Sequence, residues 1–217
     1  MTDLTPSRRA VLKWTGVAAT VAVAGSLLPN FGISAALAAD LGEGDIGVLN
    51  YAYALEQLEA AFYSQVIKTP YKGATKAELG VLKSIRNHEI AHRDYLKKAL
   101  GKKAIPSLEV DFSAIDFTDR KSVLGTADVF ENLGVAAYNG AGQLIKKVDY
   151  LAAAGSIVSV EARHTAAIQE LLTGASAKAA GEGHVDSKGL DEALSPGEVL
   201  PKAAPFIKTP VTANSLT

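Results

Sequence analysis

The chain has 217 residues, a formal net charge of −1, 48% apolar and 21% charged side chains. That balance excludes an electrostatically driven nucleic-acid binder, which needs a strong basic excess, and a disordered chain, which lacks the apolar residues for a core. There is no cysteine, so disulfides, thiolate metal sites, cysteine-held iron–sulfur clusters and cysteine nucleophiles are excluded, and any metal must be held by His, Asp or Glu.

The first 38 residues read as an export address. Ser7-Arg8-Arg9-Ala10-Val11-Leu12-Lys13 is followed by a weakly apolar run from Gly16 to Leu28, then Pro29, then the small-x-small site Ala36-Leu37-Ala38. A charged start, a short apolar run and a small-residue cleavage site make a secretory signal. The run is too short to span a bilayer comfortably. The pair Arg8 and Arg9 in this setting resembles the twin-arginine export signal; the plainer alternative is a general secretory signal with a chance Arg pair. The resemblance implies the twin-arginine translocase as a transient partner, a periplasmic or otherwise exported location, and cargo folded before export. Cleavage after Ala38 would leave residues 39–217 as a soluble mature chain without a membrane span, holding 19 Lys plus Arg against 22 Asp plus Glu. The only Met and Trp would leave with the signal. Loss of oxidisable side chains suits a protein that meets oxygen or peroxide, though chance in an Ala-rich chain explains it as well.

Four long helices are expected next. The first starts near Asp45, a good N-cap, and runs to about Lys68, where Thr69-Pro70 stops it. Leu49, Tyr53, Glu56, Ala60, Tyr63 and Ile67 share one face. Thr75-x-x-Glu78 is a capping box opening a second helix that ends before Gly101, with Leu82, Ile85, Glu89, His92 and Leu96 on its inner face. Residues 101–118 show no helical period and read as a long extended crossover. A third helix is expected from about Thr118 or Asp119 to Gly142, with Leu124, Ala127, Glu131, Val135 and Tyr138 inward. The fourth, about Asp149 to Thr173, turns Ala154, Val158, Glu161, His164 and Ile168 inward. Residues 174–192 read as a loop, Ser195-Pro196-Gly197-Glu198 opens a short helix to about 205, and the last ten residues look frayed. The expected fold is all-α: two antiparallel hairpins joined by a long crossover, a bundle over about 44–173 and an extension over 174–217, with no sheet.

Each hairpin carries a Glu on its first helix and Glu-x-x-His on its second: Glu56 with Glu89 and His92, then Glu131 with Glu161 and His164. Each lone Glu is followed seven residues later by Tyr63 or Tyr138, so the chain is an imperfect internal duplication. All six groups fall on apolar stripes. A carboxylate buried without a partner costs several kcal/mol or neutralises itself, and four together repel. Two divalent cations would resolve both problems, and four Glu with two His would hold them. Glu59 lies three residues after Glu56 and can share its face; the repeated spacing to Tyr favours Glu56 and keeps Glu59 in reserve. His88 is read as surface, His184 as loop, Tyr51 and Tyr53 as packing, and Asp94, Lys97 and Lys98 as a solvated face.

This constellation resembles the ferritin-like di-iron carboxylate family. Leu58-Glu59-Ala60-Ala61-Phe62-Tyr63, Gly134-Val135-Ala136-Ala137-Tyr138 and Val160-Glu161-Ala162-Arg163-His164 are similar to its exported, desiccation-related branch, as is the tail with Glu198-Val199-Leu200 and Ala204-Pro205-Phe206. The resemblance implies a ferritin-like four-helix bundle with Glu56 and Glu131 as terminal ligands, Glu89 and Glu161 as bridging carboxylates, His92 and His164 as terminal imidazoles, and Tyr63 and Tyr138 as outer hydroxyls that orient them. Two iron ions are the expected cofactor, with manganese the other candidate, and iron oxidation or peroxide handling the expected activity. The alternatives are a di-manganese, catalase-like site and a non-enzymatic bundle protecting the cell envelope in desiccation or stress. Homo-oligomers fit the family, but a storage cage does not, because no fifth helix occupies the usual ferritin position.

Overall fold

The computed structural model describes residues 38–216; all but the last residue of the export signal expected over 1–38, with Arg8 and Arg9, lies outside them. Four helices make the body: α1 (Gly44–Lys68), α2 (Lys76–Leu100), α3 (Arg120–Gly142) and α4 (Val148–Thr173). A short α5 (Pro196–Ala203) follows. Helix α1 packs lengthwise on α2 and α3 on α4, while α1 meets α3 and α2 meets α4 across the bundle. The fold is the all-α, ferritin-like bundle. Among the described residues no helix is long and apolar enough to cross a membrane.

Local chemistry sets most boundaries. The Thr75 hydroxyl accepts from the Glu78 amide at 3.1 Å, and Glu78 Oε2 accepts from the Thr75 amide at 2.8 Å. Gly101 stops α2 with a φ of 56°. Asp119 caps α3 by accepting from the amides of Lys121 and Ser122. Arg120, one step on, donates to Glu78 Oε1 at 2.7 Å and to the Leu171 carbonyl at 2.6 Å, fastening the start of α3 to α2 and α4. Asp45 differs from expectation. It sits inside the first turn of α1, behind Glu43 at the cap, and its carboxylate accepts from the amides of Lys146 and Lys147 at 2.8 and 2.9 Å. The α3–α4 turn needed those acceptors more than α1 needed a cap.

Helix α1 is buried nearly all round, because the crossover lies along its outer side. Asn50 donates to the carbonyls of Leu41 and Lys103 and accepts from the Ile105 amide, and Gln57, two turns on, accepts from the Leu108 amide at 2.9 Å. These two amides satisfy an extended backbone that has no ladder of its own.

Two expectations at the ends fail. A minimal sheet exists: β1 (Ala39–Asp40) pairs in parallel with β2 (Val211–Thr212). Nor is the tail frayed, since Leu216 is buried in the core and Glu109 and Asp111 of the crossover exchange backbone hydrogen bonds with Lys208 and Phe206. Two-residue strands lie below what periodicity can signal, and they form because the two ends of the domain meet in space.

The extension passes closely over one glycine. The Leu194 amide donates to the Ala136 carbonyl at 2.9 Å, and a Cβ on Gly140 would run into the Leu194 carbonyl. Gly140→Ala is expected to cost about 1–3 kcal/mol by overpacking, read as a lower urea midpoint at constant m-value. An unchanged midpoint would show that the extension does not dock there.

Candidate metal centre

Each of the four long helices delivers its groups to one point midway along the bundle. Glu56 comes from α1, Glu89 and His92 from α2, Glu131 from α3, and Glu161 and His164 from α4. The i, i+3 spacing turns each Glu-x-x-His pair off a single helix face. All four carboxylates are fully buried, His164 is 3% exposed, and the His92 side chain is 12% exposed.

The eight carboxylate oxygens sort themselves completely. Tyr63 donates to Glu131 Oε1 at 2.5 Å, and Tyr138 donates to Glu56 Oε1 at 2.6 Å. The tyrosines therefore cross: each half of the duplication holds the other half's lone Glu. The six remaining oxygens, with Nδ1 of His92 and of His164, are buried without a hydrogen-bond partner. They fall into two sets. His92 Nδ1 lies 2.9 Å from Glu161 Oε1, 3.5 Å from Glu56 Oε2 and 3.6 Å from Glu89 Oε2. His164 Nδ1 lies 2.7 Å from Glu89 Oε1, 3.3 Å from Glu131 Oε2 and 3.7 Å from Glu161 Oε2. Glu89 and Glu161 give one oxygen to each set. Within each set the four donor atoms lie within 4.8 Å of one another, close enough to hold a metal ion.

The electrostatics match that reading. Burial pushes Glu56 and Glu131 well above the usual carboxylate range, and the charges of Glu89 and Glu161 add to it. Burial disfavours an imidazolium at His92 and His164, but the surrounding carboxylates win and push both up to about 12. Burial also opposes ionisation of Glu89, yet His164 and His92 hold it down at about 2. Burial and the adjacent carboxylates keep Tyr63 and Tyr138 neutral, hence donors. Protons thus occupy the cluster where cations fit. Buried acceptors with no donor demand a positive charge, and four carboxylates match two divalent ions. Oxygen with imidazole nitrogen is a donor set that iron, manganese and zinc all accept.

Glu59, the reserve residue, is buried beside the cluster but belongs to neither set. Burial, then the charges of Glu161 and Glu89, push it well above the usual range. Its carboxylate uses space vacated by Gly134, where a Cβ would stand 3.2 Å from Glu59 Oε1 and 3.6 Å from Glu161 Oε2.

His88 is exposed, as expected, but it also reaches the cluster. Its Nδ1 lies 2.9 Å from His164 Nε2, with the rings stacked 7° from parallel. Burial, reinforced by His164, holds it below its ordinary value, so neutral His88 accepts the His164 Nε2–H and leaves His164 Nδ1 to face the cluster. Nothing on α2 signals this, because the contact comes from α4. Tyr51 and Tyr53 are buried, Asp94, Lys97 and Lys98 are exposed, and His184 sits in a turn.

Comparison with curated proteins gives no match. A family model described as a ferritin-like domain matches residues 44–174, which are the four helices and the crossover between them. With that match over more than half its length, and a buried Glu/His cluster at the centre of the bundle, the chain belongs to the ferritin-like domain family.

Proposed function

We propose that the protein is an exported member of the family, of the desiccation-related branch, which binds two iron ions at this cluster and oxidises Fe(II). The observation that carries the reading is the partition of eight buried, unpartnered donor atoms into two sets of four that share Glu89 and Glu161. Glu56, His92 and one oxygen each of Glu89 and Glu161 would hold one ion. Glu131, His164 and the other two oxygens would hold the second. When bound, the pair supplies two electrons, one from each Fe(II), to an oxidant such as dioxygen or peroxide. Tyr63 and Tyr138 hold one oxygen each of Glu131 and Glu56, so that only the other oxygen of each would be left to hold an ion. His88 fixes the His164 ring in the same way. Export is supported by the Arg8-Arg9 pattern and the Ala36-Leu37-Ala38 site.

Metals per chain, measured by mass spectrometry on protein exported by its host, test the reading, together with the visible spectrum after Fe(II) is added in air. Near two irons per chain, with oxidation faster than in Glu56→Ala, is expected. Two manganese ions with peroxide disproportionation would favour the catalase-like alternative. No metal and no oxidation above buffer would leave the stress-protective bundle.

Filling the cluster is also expected to release protons. His92 and His164 are raised from 6.5 to about 12 in the metal-free protein. Their contribution to its stability is therefore complete below about 6.5 and is lost as pH rises towards about 12. Metal displaces those protons, so apparent affinity rises with pH through neutrality. A pH-stat titration near pH 7 should record at least two protons released per dimetal centre formed, those of His92 and His164, with the protons that burial holds on Glu56 and Glu131 adding to them. Uptake without release would remove the two Nδ1 atoms from the ligand set.

A further inference from the structure

The two halves of the duplication can be compared position by position around the cluster. Glu131 follows Glu56 by 75 positions and Glu161 follows Glu89 by 72, which sets the pairing on each helix. The ligand-like residues match. So do the hydroxyls outside them: Tyr63 pairs with Tyr138, and each holds the opposite lone Glu, at 2.5 and 2.6 Å. Two positions break the symmetry. His88 pairs with Val160, and Glu59 pairs with Gly134. Both departures fall beside the His164 set. His88 Nδ1 lies 2.9 Å from His164 Nε2. The space over Gly134 that Glu59 enters also borders Glu161 Oε2, an oxygen of the His164 set.

The bond between the two imidazoles has one sense once an ion is held. A neutral imidazole that gives its Nδ1 lone pair to a metal carries its proton on Nε2. The His164 Nε2–H then donates, His88 Nδ1 accepts, and the proton of His88 sits on its own Nε2. An acceptor on the far nitrogen fixes the tautomer and the ring, and it raises the basicity of the ligating nitrogen. His92 has no such help from its own half. Val160, which stands where His88 would, has no polar side-chain atom. The His92 side chain is also more open, at 12% exposed against 4% for His164.

We propose that His88 is a positioning residue that makes the two sets unequal, so that the His164 set holds the first divalent ion and the His92 set the second. The inference rests on the cluster being the dimetal site proposed above. Removing an outer partner of a ligating His lowers metal affinity by about 10–100-fold, so the two steps of loading should differ by about tenfold or more. The direction of the difference matches the way in. Of the six residues His92 is the most exposed, so an approach from solvent reaches its set first. Glu89 and Glu161 each have an oxygen in both sets and can pass an ion inward to the tighter one, which frees the His92 set for the second. Sets of equal affinity would leave the first ion at the outer position as often as at the inner.

Co(II) titrated without air into the full metal-free protein reads the order with no oxidation, through its visible absorption and the proton NMR signals that the bound ion shifts. Two resolved steps are expected. The first ion should shift one ring N–H that exchanges slowly with water, the His164 Nε2–H held by His88. The second should add no slowly exchanging N–H. His88→Ala should weaken the first step by about 10–100-fold, merge the two steps and speed the exchange of that N–H. Because His88 is exposed, the thermal midpoint of the metal-free variant should fall by no more than about 4 °C. His88→Gln, whose amide oxygen can accept from the same N–H, should restore the two steps. Val160→His copies the acceptor into the other half; it should tighten the second step and give a second slowly exchanging N–H. Two ions bound with equal affinity by the parent, or a first step untouched by His88→Ala, would overturn the proposal. A parent that takes up two Co(II) in this order but does not oxidise Fe(II) would overturn the proposed function alone. A parent that binds no metal would overturn both.

Discussion

Replacing Glu89 and Glu161 together by Ala is expected to abolish dimetal binding. Each carboxylate gives one oxygen to the His92 set and one to the His164 set. The double change therefore takes both sets from four donors to two at once. Loss of an outer partner alone costs about 10–100-fold in metal affinity, so losing two direct donors per ion should cost more than about 100-fold. Equilibrium dialysis with elemental analysis would read near zero metal per chain. Glu56→Ala, by contrast, strips one set only, so stoichiometry should fall towards one. It also leaves the Tyr138 hydroxyl without its acceptor. Full retention of two metals in the double variant would overturn the assignment of these carboxylates as shared ligands.

Phe62→Ala should give the largest loss of stability. Phe62 is fully buried, and its ring meets those of Tyr63, Phe112, Phe117 and Phe130 at centroid distances of 5.1–6.0 Å. Phe112 and Phe117 come from the crossover, so this one ring joins α1, α3 and the segment that connects the hairpins. Large-to-small changes at such sites cost about 3–5 kcal/mol, part of it for the cavity left behind. In a domain of this size that lowers Tm by about 6–20 °C. The neighbouring Tyr63 holds Glu131, so metal uptake at the His164 set should weaken as well. A loss below about 1 kcal/mol would mean that these rings do not carry the join between the halves.

The Gly140→Ala prediction acts elsewhere, on the docking of the extension, and is independent of both. Together the three variants separate the cluster, the interior and the tail.

Much of this was legible in the sequence. Period fixes the direction of a side chain relative to its own helix axis, so spacing alone turned Glu56, Glu89, His92, Glu131, Glu161 and His164 inward, and the structure buries all of them but His92, which is partly exposed. Caps work over three or four residues, so Thr75 with Glu78, Asp119 and Gly101 marked their helix ends. The duplication was visible as repeated intervals. What period cannot say is which neighbour a side chain meets, because that depends on the rotation and stagger of one helix against another. Only the tertiary structure decided that Tyr63 reaches across to Glu131 and Tyr138 to Glu56, that His88 meets His164, and that Glu59 stays outside both sets. The same holds for Asp45 at the α3–α4 turn, for Asn50 and Gln57 under the crossover, and for the pairing of β1 with β2. Those contacts join residues far apart in the chain, and the sequence carries no local signal for a partner that arrives from another element.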